Sequence, residues 1–241
     1  MKVLVADEEL ASRRFIVETL ANTGLEINCT GDGPDAWKRL QAEAPPRLLI
    51  LSSMLPNLDG EEVSEKVRQN GSPHYTYIIL LTPGRDKKEV LESLTAGADD
   101  HLFKPVNADE LLARVNVGRR ILMQENRLNT LVKAWRSMLD NLPFGVACLG
   151  RNGDVLRTNK AFVDLLARDL RPTIGESLVP FTIRRQADVA LLRESIRRGE
   201  RFDQVEMELI RKDGSPRHVY VWGRPLDHGG EMVFEIITAV E

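Results

Sequence analysis

Five short apolar runs alternate with helical stretches through the first half of the chain, and no other feature restricts the fold as much. The runs are "KVLVA", residues 25–30, "LLILS", "TYIILLT" and "HLFK". Between and after them lie "EELASRRFIVETLANTG", "GPDAWKRLQAEA", the stretch near residues 60–69, "DKKEVLESLTAGA" and "NADELLARVNVGRRIL". A brief apolar run bounded by turn residues, such as the one climbing from Pro45-Pro46 to Ser52, reads as a strand buried on both faces. In the first helical stretch Phe15, Leu20 and their neighbours recur at helical spacing, and Gly24 stops it. Five strand–helix units require crossover connections, hence a parallel sheet covered on both sides. Residues 1–122 are therefore expected to form a doubly wound, five-stranded α/β domain.

The second half has another rhythm. "GVACLG" and "VLRTN" flank the turn "RNGD", a hairpin signal. Helical segments follow, including "ADVALLRESIRRG". Three strands, "DQVEMELIRK", "PRHVYVWGRPL" and "EMVFEIITAV", are separated by the turns "KDGS" and "DHGG". Residues 142–241 read as an α+β domain with an antiparallel sheet.

Residues 123–141 join the two as a helical linker. Apolar positions Ile121, Leu128, Leu131, Trp135, Met138 and Leu142 step by three and four, with Gln124 in the remaining slot, and no Pro or Gly lies between Gly118 and Pro143. Such a stripe predicts a two-stranded coiled coil and a homodimer, with Leu128, Leu131, Trp135 and Met138 in the seam. The alternative is that the stripe packs on its own second domain.

Composition excludes several classes. A net charge of −3 gives no reason to expect nucleic-acid binding. No apolar run approaches the ~20 residues of a membrane span, and the N-terminus enters a strand directly, so the expectation is a cytoplasmic protein. Cys29 and Cys148 are too few for a disulfide framework. His74, His101, His218 and His228 include no pair at ligand spacing on one helix.

Polar groups gather at the carboxyl ends of the predicted strands, where ligand crevices form in such sheets. Asp7-Glu8 end the first strand, Ser52 the third, Thr82 the fourth and Lys104-Pro105 the fifth. Carboxylates suit a hard cation such as Mg²⁺, while a hydroxyl and an ammonium suit phosphoryl oxygens. Equally, Asp7 and Glu8 could repel each other and be relieved by Lys104 with no metal present.

"VLVADEE", "LLILSSMLPNLDG", "YIILLTPGR" and "AGADDHLFKPVNADELLARV" together resemble the receiver domain of two-component response regulators, across residues 1–122. The resemblance implies a flavodoxin-like fold. It also implies Mg²⁺ at Asp7 and Glu8, phosphoryl sensing by Thr82 and Lys104, and a switch position at His101. It places Ser52 where the family has its phosphoacceptor aspartate.

That departure matters chemically. An aspartate accepts phosphoryl as a labile acyl phosphate, whereas a serine hydroxyl needs a positioned base and yields a stable ester. Losing one carboxylate also implies weak Mg²⁺ binding. Asp59 lies in the loop beyond and does not replace the missing acid. Ser52 is therefore expected to mark a degenerate receiver that works by protein contacts. A phosphoserine made by a dedicated kinase, an engineered substitution or a structural role for Ser52 are the alternatives.

"MLDNLPFGVACLGRNGDVLRTNKAFVDLL" with "ELIRKDGSPRHVYVWGRPL" resembles a PAS domain, with Asn159 a helix N-cap. Family members hold haem, flavin or small metabolites, or nothing. Cys148 lies on the first strand rather than on a central helix, and "QADVALLRESIRRG" has no histidine, so neither coloured cofactor is favoured and no PAS ligand is named. His218 reads as a partly exposed sheet residue. Trp222 and Phe234 are expected in the core rather than in a pocket.

The resulting expectation is a two-component signalling protein, not an enzyme, whose partners are a second copy and other signalling proteins such as a histidine kinase. No helix-turn-helix follows the receiver, so direct transcriptional control is not expected. The competing readings are the sensory part of a longer histidine kinase or cyclase, and a PAS-based small-ligand sensor.

Overall fold

The computed structural model describes residues 1–72, 74–84, 91, 94–150, 154–166, 186–211, 213–228 and 231–240. The chain divides into two compact units, Met1–Asn129 and Thr130–Glu241.

In the first unit β1 (Lys2–Ala6), β2 (Glu26–Thr30), β3 (Leu48–Ser52), β4 (Tyr77–Thr82) and β5 (Asp100–Phe103) form one sheet. Its order is β2-β1-β3-β4-β5, with every pairing parallel. This is the flavodoxin-like doubly wound arrangement. Strand alternation sorts the apolar side chains into two cores. Val3, Val5, Ile50, Ile79 and Leu81 meet Ile16, Leu20, Leu111 and Val115 on one face. Leu4, Ala6, Leu49, Leu51 and Leu80 meet Ala36 and Val63 on the other. The central strands β3 and β4 are buried throughout, as their unbroken apolar runs require.

Helix α1 (Leu10–Leu20) continues into a 3-10 turn, Ala21–Thr23, and ends at Gly24 in the left-handed region, φ 71°. Ile16 and Leu20 of this helix face the core, and Phe15 is 40% exposed. A one-residue step turns a helical side chain by about 100°, and here Ile16 faces the sheet while Phe15 stands at the edge of the buried stripe. Helix α2 (Gly33–Leu40) is capped by Asp32, whose carboxylate accepts from the Asp35 amide at 2.8 Å. Helix α3 (Gly60–Gln69) starts with a full capping box between Asp59 and Glu62. The helix expected over 86–98 falls largely on residues 85–90, 92 and 93, outside the described residues.

Helix α4 runs unbroken from Ala108 to Asp140. Its early turns pack Leu111, Val115 and Leu122 into the first core. Beyond them Leu128, Leu131, Trp135 and Met138 are 48–65% exposed.

In the second unit β6 (Gly145–Leu149), β7 (Val155–Thr158), β8 (Phe202–Ile210), β9 (Pro216–His228) and β10 (Glu231–Val240) form an antiparallel sheet of order β7-β6-β10-β9-β8. Helices α5 (Lys160–Leu166) and α6 (Gln186–Arg198) interrupt it in sequence. The turn expected between β6 and β7 includes residues 151–153, outside the described residues. Phe162, Leu166, Phe202, Val221, Phe234 and Ile236 build the core. Phe202 and Phe234 stack at 5.9 Å between ring centroids. Phe234 is thus a core residue as expected, but Trp222 is not. It lies between buried Val221 and Gly223 on β9 and is only half-buried, on the opposite face of the sheet.

Candidate functional site

The carboxyl ends of β1, β3, β4 and β5 bring together the predicted polar groups. Backbone pairing continues one residue past two strands: the Asp7 amide donates to the Thr30 carbonyl at 3.2 Å, and the Lys104 amide to the Thr82 carbonyl at 2.8 Å. Ser52 closes β3, opposite Leu81 on β4. Behind it Gly60 begins α3 so closely that an added Cβ would stand 2.3 Å from the Ser52 carbonyl oxygen. Only glycine allows this approach.

Lys104 is the centre of the cluster. Its Nζ donates to Asp7 Oδ1 at 3.0 Å, to Glu8 Oε1 at 3.0 Å and to Ser52 Oγ at 3.1 Å. Asp7 and Ser52 are fully buried. Asp7 Oδ1 also accepts from the Glu9 amide at 2.9 Å, and Oδ2 from Ser12 Oγ at 2.7 Å. Arg13 donates from Nη1 to the Asp7 carbonyl oxygen. The Ser52 hydroxyl accepts from Lys104 and from the Met54 amide at 3.3 Å. A hydroxyl has two acceptor lone pairs and one proton. Both lone pairs are engaged.

The electrostatics follow from this geometry. Burial raises the Glu8 carboxyl, but hydrogen bonds from Ser52, its own backbone and Lys104 outweigh it and hold the group below its ordinary value. Burial likewise lowers Lys104, and the bonds to Glu8 and Asp7 with their charges reverse that, leaving the ammonium above its ordinary value. Lys104 is therefore a firm cation and Glu8 a weak base at neutral pH. Neither is a strong base toward the Ser52 proton.

Thr82 is 2% exposed, and its Oγ1 is buried without a hydrogen-bond partner, as is Glu8 Oε2. His101 is half-buried, with its ring edge-on to Phe103 at 5.2 Å. The residues present fit a divalent cation poorly. Both Asp7 oxygens are already bonded, an ammonium sits between the two carboxylates, and the third position is a neutral hydroxyl. Among the described residues no three His, Cys, Asp or Glu side chains cluster as a metal would require.

Sequence reasoning missed the groups that fix this cluster: Ser12 and Arg13 on α1, the Met54 amide, and the cap role of Asp59. "DG" before a helical stretch is a signal for the last of these. It also missed an anchor at the other end of the sheet. Arg47 bonds Glu125 on α4 and reaches Asn126 Oδ1 at 2.6 Å and the Tyr75 carbonyl at 2.9 Å. The Tyr75 amide donates back to Glu125 at 3.0 Å.

In the second unit Asn159 is 2% exposed and uses its whole carboxamide. Oδ1 accepts from Phe162 and Val146 amides at 3.0 and 2.8 Å, while Nδ2 donates to Leu139 and Phe144 carbonyls, both at 2.9 Å. The N-cap expectation holds, and the same side chain secures the end of α4. His218 is exposed, 3.8 Å from Glu206. Among the described residues no helix is long and apolar enough to cross a membrane.

Parallel sheet, acid pair, hydroxyl and lysine, followed by an antiparallel PAS-type sheet, define a signalling chain of two-component type. The response regulator receiver domain family matches residues 3–116, and the PAS fold matches residues 133–239. The chain thus carries a response regulator receiver domain followed by a PAS domain. Response regulator MprA of Mycobacterium avium (strain 104) is 29% identical over 180 residues, 74% of this chain and 78% of the relative. Response regulator ArlR of Staphylococcus saprophyticus is 29% identical over 168 residues, 70% of this chain and 73% of the relative. Among solved structures, the receiver domain of Francisella response regulator 1452 is 30% identical, with a TM-score of 0.46 over 49% of this chain and 96% of its own. The PAS domain of an HTR-like protein from Haloarcula marismortui is 23% identical, with a TM-score of 0.45 over 49% of this chain and 98% of its own.

Proposed function

We propose that the receiver half of this two-component signalling chain is degenerate and acts by protein contacts, with no aspartyl phosphorylation and no catalysis of its own. One observation carries the reading. At the end of β3 stands a buried serine whose hydroxyl accepts from Lys104 and from the Met54 amide. No carboxylate offers itself for an acyl phosphate, and no base is poised to turn the hydroxyl into a nucleophile. Signalling then runs through α4 as paired helices in a cytosolic dimer, by a shift between two packings of that stalk. The partners are a second copy and signalling proteins of histidine-kinase type that dock on the receiver.

The test is incubation of the full chain with acetyl phosphate and Mg²⁺, followed by intact mass and hydroxylamine treatment. No phosphoryl gain is expected. A hydroxylamine-sensitive adduct would overturn the proposal.

A further inference from the structure

The exposed apolar stripe of α4 lies between two anchors. Arg47 and Tyr75 hold Glu125 at its start. At its end the Leu139 carbonyl accepts from Asn159, and Asp140 Oδ1 accepts from the Lys160 amide at 2.9 Å. Between these anchors Leu128, Leu131, Val132, Trp135 and Met138 are 48–65% exposed.

Heptad positions follow from the stripe. Ile121, Leu128 and Trp135 take a, and Gln124, Leu131 and Met138 take d. Arg120, Arg127 and Ala134 then fall at g, and Glu125, Val132 and Leu139 at e. Arg120 and Arg127 are exposed and form no ion pair among the described residues.

We propose that this face pairs with the same face of a second copy of the chain, parallel and in register. The inference rests on the dimer reading above and adds its direction and alignment. In a parallel pair each g residue meets the e residue five positions on in the other helix. Arg120 then meets Glu125 of the second copy. That carboxylate accepts from Arg47, the Tyr75 amide and Asn129 Nδ2, which leaves it one acceptor site, and its side chain is 25% exposed. The aliphatic stem of Arg127 covers Val132, and Ala134 meets Leu139. Gln124 faces Gln124, so each carboxamide finds a donor and an acceptor.

The alternatives lose these matches. Antiparallel pairing sets e against e and carries the Glu125 charge onto apolar Leu139. It also sets the Gln124 carboxamide against a layer of Trp135 or Leu142, where nothing satisfies it. A parallel pair shifted by one heptad places Gln124 against Leu131, with the same defect.

The test uses the full chain with Cys29→Ser and Cys148→Ser as background. Sedimentation is combined with oxidative cross-linking of Leu128→Cys alone, Met138→Cys alone, and Leu128→Cys mixed with Trp135→Cys or Met138→Cys. Each single variant is expected to cross-link to a homodimer, which requires like positions to face each other at both ends of the stripe. Arg120→Glu is expected to raise the dimer Kd by about tenfold, because two attractive pairs become repulsive. A dimer that cross-links only in the mixtures would overturn the parallel alignment while leaving the dimer intact. A monomer at every concentration would overturn the dimer reading as well.

Discussion

The Lys104 ammonium lies 3.1 Å from the Ser52 hydroxyl and 3.0 Å from Asp7, so the lysine and the serine share one buried charge cluster. Restoring an acid there changes the balance in a measurable way. Ser52→Asp places a third carboxylate beside Asp7 and Glu8 with a single cation to serve all of them. Without divalent metal its melting temperature should fall below that of the natural chain. With millimolar Mg²⁺ it should rise by several degrees, while the natural chain stays nearly unchanged. Thermal scans with and without Mg²⁺ read both effects, and an equal response of the two proteins would contradict the poor fit to a dication.

The pH dependence follows from the same cluster. Glu8 is held below its ordinary 4.5 in the fold, so its contribution is complete above that value and is lost as pH falls through the lower folded one. Lys104 is held above its ordinary 10.5, so its contribution is complete below that value and is lost as pH rises through the higher folded one. Stability from this cluster should therefore be flat between about pH 5 and pH 10 and weaken outside that window. Lys104→Met strands the buried Asp7 carboxylate and should cost about 3–5 kcal/mol at neutral pH. Urea unfolding at several pH values checks the sign.

Much of this architecture is legible in residue order. β3 and β4 are uninterrupted apolar runs that must be covered on both faces, and the polar groups that matter stand one residue beyond such runs. What periodicity does not show is which of two adjacent apolar residues turns inward, as with Phe15 and Ile16 on α1. Nor does alternation say which face of the second sheet its helices cover, which is why Trp222 lies outside the core. The long-range bonds of Arg47 to Glu125 and of Asn159 to Leu139 join residues separated by 78 and 20 positions. No local pattern encodes such a pair.

The Arg47 anchor predicts a local effect. Both side chains of its ion pair are mostly buried, 18% and 25% exposed, and charge-assisted bonds of this kind contribute about 1.5–3 kcal/mol. Glu125→Ala should lower the stability of the first unit by about 1–2 kcal/mol, since water replaces part of the lost bonding. Amide exchange should accelerate around residues 124–129 and at Tyr75, whose amide loses its acceptor. Rates in β6 to β10 should not change.

Asn159 supports the sharpest test of how α4 is tied to the second sheet. Its Nδ2 holds two carbonyls, Leu139 on the helix and Phe144 before β6, while Oδ1 holds two amides, Val146 and Phe162. Asn159→Asp keeps the shape and both acceptor bonds but turns the donor end into an oxygen facing two carbonyl oxygens. Asn159→Ala removes all four bonds and leaves buried amides and carbonyls unsatisfied, at about 1–3 kcal/mol for each group that water cannot reach. The alanine variant should therefore unfold the second unit at markedly lower urea. The aspartate variant should keep the α5 cap while fraying the last turn of α4, with faster exchange at residues 137–141 and unchanged protection at Phe162. Equal loss of protection at Phe162 and in that last turn would show that the carboxamide is a general core contact and not the tie between helix and sheet.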